Sequence, residues 1–163
     1  MFSGFSDLIV YLVEPSAVQA RMITSVLTQI GVRSVRHFES GGPMFQVLHD
    51  APPSLVISAL YLADMQGTEL VRLLRQDTAT AHTPFILISS ETRPHVLDPV
   101  RQSGVCGILP KPFTEAQLRT ALRATLDYLD TESTLDLDPM DLESLKVLLV
   151  DDSPTARGFT RRV

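Results

Sequence analysis

Five short apolar runs, rich in β-branched residues, alternate with segments of helical periodicity, and this alternation constrains the fold more than any other feature of the chain. The runs are residues 8–13, 32–37, 55–60, 85–89 and 104–109, each of strand length and too short for a buried helix. Ser16 followed by Gln19 forms a capping box that opens a helix with Val18, Met22, Val26 and Ile30 at i, i+4 spacing, stopped by Gly31. Gly41-Gly42-Pro43 breaks into a second helix that runs to about His49. A turn containing Asp64 and Gly67 leads to a third, carrying Leu70, Val71, Leu73 and Leu74. Pro94 and Pro99 make the fourth helix, within 92–103, short or irregular. A second capping box at residues 114–117 opens the fifth, with Leu118, Leu122, Leu126 and Leu129. Five strands alternating with five helices specify an α/β fold, with a parallel sheet covered on both faces and its sites at the carboxyl ends of the strands.

Composition supports a packed domain with an appendage. The chain has 163 residues, 44% of them hydrophobic, enough to bury a sizeable core. No apolar run approaches the roughly 18 residues of a membrane span, and the N-terminus lacks a basic-then-apolar leader, so the expectation is a cytoplasmic protein without membrane contact. Cys106 is the only cysteine, which fits a reducing compartment and leaves no internal disulfide. Net charge is −5, but residues 130–143 hold six acids and no base, so the rest is near neutral and offers no footprint for nucleic acid. The acidic stretch, with Pro139 inside it, is expected to be an interdomain linker.

One motif occurs twice. Ile9-Val-Tyr-Leu-Val-Glu14-Pro15-Ser16 near the start matches Lys146-Val-Leu-Leu-Val-Asp151-Asp152-Ser153 near the end, with Val10/Val147, Leu12/Leu149, Val13/Val150 and Ser16/Ser153 identical at one offset. A self-match at this distance suggests one domain followed by the opening of another of the same kind. The late copy ends in two carboxylates, whereas the early copy has one carboxylate and a proline.

The strand ends carry a further pattern: Tyr11-Leu-Val-Glu-Pro-Ser16, Pro53-Ser-Leu-Val-Ile-Ser-Ala-Leu-Tyr-Leu-Ala-Asp-Met-Gln-Gly67, Pro84-Phe-Ile-Leu-Ile-Ser-Ser90 and Gly104-Val-Cys-Gly-Ile-Leu-Pro-Lys-Pro-Phe113. In this order and spacing, residues 8–129 resemble the receiver domain of bacterial two-component response regulators. The resemblance implies a flavodoxin-like, doubly wound five-stranded parallel sheet of order 2-1-3-4-5 with five helices. It also implies a phosphoryl group accepted by an aspartate after the third strand and Mg²⁺ held by an acidic pair after the first. A hydroxyl after the fourth strand and a lysine after the fifth then bind the phosphoryl oxygens, and an aromatic residue in the fifth strand reports the switch.

Carried over residue by residue, the pattern is broken at critical points. The phosphoacceptor position falls on Ala59, whose methyl is no nucleophile. The acidic pair falls on Glu14 and Pro15, leaving one carboxylate for a metal. The switch aromatic falls on Ile108. Ser89 and Lys111 match. With Ala59 in place of a carboxylate, Glu14 is the natural ion-pair partner of Lys111, and the resemblance implies a cis Lys111-Pro112 bond. Asp64 lies five residues past the acceptor position, in a turn where Asp serves local hydrogen bonding. His37, His49, His82 and His95 lack metal-ligand spacing, and Cys106 is expected as a small core residue of its strand.

These readings combine into a degenerate receiver over 1–129, an acidic linker over 130–145 and, over 146–163, the truncated start of a second receiver. The expected function is a receiver module in a two-component phosphorelay that lacks the phosphoacceptor and acts by protein–protein interaction, without enzymatic activity. No cofactor is expected for the first domain. Mg²⁺ on Asp151 and Asp152 is expected only in a complete second receiver. Expected partners are other receiver or output domains of the same protein, a histidine kinase, or a second copy in a homodimer through the last helix–strand–helix face. The alternative is an atypical receiver still switched by phosphorylation at a non-standard site or by a small ligand. A flavodoxin-like enzyme or nucleotide binder lacks support, because Glu14-Pro15-Ser16-Ala17 stands where a phosphate-cradling glycine loop belongs.

Overall fold

The computed structural model describes residues 4–134. Five strands, β1 (Ile9–Val13), β2 (Ser34–Phe38), β3 (Leu55–Ala59), β4 (Phe85–Ser89) and β5 (Gly107–Pro110), alternate with α1 (Ala17–Ile30), α2 (Gly41–Val47), α3 (Gly67–Gln76), α4 (Pro94–Gln102) and α5 (Glu115–Thr134). The strands form one sheet of order β2-β1-β3-β4-β5, and all pairings are parallel. This is the flavodoxin-like arrangement.

The alternation of side chains along each strand splits the core into two layers. Val10, Leu12, Leu55, Ile57, Ile86, Ile88 and Leu109 face α1 and α5. Tyr11, Val13, Val56, Phe85, Leu87 and the half-buried Ile108 face α2, α3 and α4. β3 and β4 are buried along their whole length, as central strands covered on both faces must be.

Several local expectations need correction. On α1 the buried stripe is Ala20, Ile23, Leu27 and Ile30. Val18 and Met22, expected on that stripe, are exposed at 61% and 64%, because the sheet meets the face one residue further round. α1 ends in a Schellman-type turn, with Gly31 at φ 112° and Val32 N–H donating to Leu27 O at 3.0 Å. Val32 is thereby drawn into the core, and β2 begins two residues later than expected. Gly104, at φ 90°, turns the chain after α4, so β5 begins at Gly107 and Cys106 is exposed before it rather than buried within it. α4 is short, nine residues, with Pro94 in its first turn and Pro99 inside.

Candidate functional site

The carboxyl ends of the strands converge at one edge of the sheet. Glu14 directly follows β1, and its N–H still donates to Phe38 O at 2.9 Å, so the sheet's hydrogen bonding fixes its backbone. Its carbonyl accepts from His37 Nε2–H at 2.8 Å. Its carboxylate is almost fully buried: Oε1 accepts from the Ser16 N–H at 2.9 Å and Oε2 from Lys111 Nζ at 2.9 Å. Lys111 Nζ also donates to Gln19 Oε1. The expected Glu14–Lys111 ion pair is therefore present, between side chains 5% and 22% exposed. Lys111 is held in register by its own N–H, which donates to Ser89 O at 2.8 Å, and the Lys111-Pro112 peptide is cis.

The capping box at α1 is only half made. Ser16 Oγ accepts from the Gln19 N–H at 3.4 Å, but Gln19 turns its amide to Lys111 and Glu14 takes the Ser16 N–H. The second box is complete: Thr114 N–H donates to Gln117 Oε1 and Gln117 N–H to Thr114 Oγ1. A full box at α5 beside a diverted one at α1 marks Gln19 as part of the site, a role its N3 position alone did not reveal.

Ala59 ends β3, 7% exposed, paired in register with Ile88. Its carbonyl accepts from Ser58 Oγ at 2.9 Å. The first residue of α3 passes so close that a Cβ on Gly67 would lie 2.5 Å from that carbonyl. Pro15 is exposed and contributes no carboxylate. Ile108 packs among the apolar residues facing α2–α4.

Ser89 is buried at the end of β4, and its Oγ accepts from the Glu91 N–H at 2.9 Å. Glu91, which sequence reasoning passed over, is the most heavily bonded carboxylate of this edge. It accepts from the N–H groups of Thr92 and Arg93 and from the Arg93 guanidinium at Nε and Nη2. These bonds, the guanidinium's foremost, hold its pKa down at about 2.

Asp64 behaves differently from the local turn expected of it. Its Oδ1 and Oδ2 accept from the N–H groups of Gly41 and Gly42 at 3.0 and 2.7 Å, capping α2 from a distant loop. Those N–H bonds, Gly42's first, lower its pKa. Beside Lys111, a groove of about 500 Å³ runs between α1 and the start of α5, lined by Gln19, Met22, Ile23, Val26, Ser90, Pro112 and Phe113. No group of three or more His, Cys, Asp or Glu side chains suited to a metal occurs among the described residues. None of the described helices is long and apolar enough to cross a membrane. Asp151 and Asp152 lie outside the described residues.

A doubly wound sheet of this order, with a lysine and cis-proline after β5 and a hydroxyl after β4 at the same edge, is the arrangement of a receiver fold. The family profile of the response regulator receiver domain matches residues 10–123, and the chain belongs to that family. It is similar to the chemotaxis protein CheY-3 of Vibrio cholerae, 25% identical over 113 residues, covering 69% of this chain and 87% of the relative. The chemotaxis protein CheY of Pseudomonas aeruginosa is 24% identical over 110 residues, covering 68% of this chain and 89% of the relative. Among solved structures, the receiver domain of a signal transduction histidine kinase from Syntrophus aciditrophicus superposes with a TM-score of 0.69 at 20% identity, covering 87% of this chain and 99% of that one. The receiver domain of a sensor histidine kinase from Pseudomonas aeruginosa, solved with a magnesium ion in its active-site cleft, gives a TM-score of 0.65 at 22% identity, covering 72% of this chain and 97% of that one.

Proposed function

We propose that residues 1–129 are a receiver that keeps the family's fold without its phosphotransfer, and that they signal by binding other proteins. Ala59 stands at the acceptor position of β3 and offers no atom for phosphoryl attack. A divalent cation in such a site needs several hard oxygen ligands, and two or more carboxylates offset its charge. Here Glu14 is the one carboxylate at the acidic-pair positions after β1, Pro15 supplies none, and both Glu14 oxygens already accept from Ser16 and Lys111. These residues do not fit Mg²⁺.

The observation that carries this reading is the Glu14–Lys111 contact at 2.9 Å. The lysine that in a working receiver meets phosphoryl oxygens is occupied by the carboxylate that would otherwise hold the metal. The partners that fit are a further receiver or output domain of the same protein, with residues 146–163 read as the opening of a second receiver bearing the intact Asp151–Asp152 pair. A histidine kinase and a second copy of the chain are further partners to be assayed.

A labelled small-molecule phosphodonor with Mg²⁺ tests the proposal on the full chain. No label is expected. Label that disappears in Asp64→Ala would replace this reading with that of an atypical receiver phosphorylated away from β3. The Gly41 and Gly42 N–H groups argue against that outcome, because they hold the Asp64 carboxylate at the start of α2 and stabilise its charge there.

A further inference from the structure

We propose that Glu91 is a built-in latch for the β4–α4 loop: its carboxylate, with Arg93 folded onto it, holds the loop and the start of α4 in one position. The inference rests on the absence of phosphotransfer proposed above, since a loop that must rearrange around a phosphoryl group has no use for a permanent internal anion.

The geometry is specific. Ser89 Oγ, at the position where a working receiver's hydroxyl meets a phosphoryl oxygen, accepts from the Glu91 N–H at 2.9 Å. The Glu91 carboxylate, 8% exposed, then accepts from the Thr92 and Arg93 N–H groups at 3.0 and 2.9 Å. It also accepts from the Arg93 guanidinium at 2.8 and 2.5 Å, a fork geometry that fixes side chain as well as backbone. Arg93 is the N-cap residue of α4, so the latch closes at the point where the helix starts. Its side chain offers no oxygen to that helix; Pro94 after it favours the extended backbone an N-cap needs, and the bond to Glu91 ties that residue to the loop.

Tyr61 bridges to Gln66 within the β3–α3 loop, and Asp64 of the same loop caps α2. Asp64 thus ties the loop after β3 to the start of α2, as Glu91 ties the loop after β4 to the start of α4. On the other side of the site, Lys111 is tied to Glu14 and Gln19. Of the two side chains that would answer a phosphoryl group, Lys111 donates to protein oxygens and Ser89 Oγ accepts from the loop that Glu91 orders. An anion supplied by the loop itself takes over the ordering.

The amides of Glu91, Thr92 and Arg93 report the latch directly, because their acceptors are oxygens of Ser89 and Glu91 side chains rather than of a helix or sheet. Residue-resolved hydrogen exchange on the full chain is therefore the test, with Glu91→Ala and Arg93→Ala as variants and β4 amides as an internal control for folding. In the unaltered chain the three amides are expected to exchange at least ~10-fold more slowly than unstructured amides. Glu91→Ala should remove that protection at Thr92 and Arg93 and raise exchange in the first turn of α4, with β4 unchanged. Arg93→Ala should raise exchange at Thr92 and residue 93 by less, because Glu91 loses the guanidinium but keeps its backbone donors. Unprotected amides in the unaltered chain, or protection that survives Glu91→Ala, would overturn the latch. Protected amides in a chain that accepts phosphoryl label would leave the latch standing and remove the reading on which it rests.

Discussion

Replacing Lys111 with Met removes the ammonium while keeping most of the aliphatic stem along the groove beside Pro112. The Glu14 carboxylate, 5% exposed, then keeps the Ser16 N–H and loses its only cationic partner. Stranding one member of a fully buried pair costs about 3–5 kcal/mol. Lys111 is 22% exposed, so water shares part of the work and the expected cost falls to about 2–3 kcal/mol. For a domain of this size that corresponds to a fall in Tm of roughly 6–15 °C. Glu14→Gln keeps an acceptor for Ser16 and leaves a partly exposed lysine that can turn to water, so its own cost should be smaller, about 1–2 kcal/mol. Chemical denaturation of the two single variants and the double variant closes a cycle, and a coupling of about 1–2 kcal/mol is expected because the double variant leaves no stranded charge. A coupling within about 0.3 kcal/mol of zero, or a Lys111→Met chain as stable as the unaltered one, would refute the claim that this pair holds the site together.

Two further perturbations probe the same edge. Glu91, with its pKa lowered to about 2, contributes stability that is fully present above its ordinary value of 4.5 and is lost as pH falls through 2. The Tm gap between the unaltered chain and Glu91→Gln should therefore be constant at neutral pH and narrow across that acid window; a gap that widens on acidification would contradict the assigned cause. Gly67→Ala would put a Cβ 2.5 Å from the Ala59 carbonyl, against backbone that cannot give way cheaply. A loss of about 1–3 kcal/mol in denaturant unfolding is expected, and a neutral result would show that α3 shifts freely at its start.

The fold was legible because each of its central runs, 8–13, 55–60 and 85–89, is apolar on both faces, and that pattern belongs to parallel strands covered twice. Boundaries were lost where a left-handed glycine redirects the chain. Gly31 and Gly104 each move the next strand two or three residues on, and the second takes Cys106 out of the sheet. The α1 stripe was misplaced because Val18, Met22 and Val26 share helical spacing with Ile30 as well as Ile23 and Leu27 do. Which set turns inward depends on the sheet, a fact no local period contains. Lys111 and Glu14 were recoverable as partners, since the loss of a carboxylate at Ala59 leaves the lysine one acid to meet. Gln19, Glu91 and Arg93 carried no such signal: a diverted capping glutamine and an acid two residues before an arginine in a loop are ordinary in sequence. Their roles come from strand ends that the fold brings together.

The most direct test of a receiver frame without receiver chemistry compares the intact mass of the unaltered chain with that of a Pro15→Asp, Ala59→Asp variant after incubation with Mg²⁺ and a small-molecule phosphodonor. The unaltered chain is expected to keep its mass, and the variant, with a second carboxylate beside Glu14 and an acceptor at the end of β3, is expected to gain one phosphoryl group. A phosphoryl group on the unaltered chain would contradict the proposed loss of chemistry, and a folded variant that gains none would contradict the claim that the frame around it is intact.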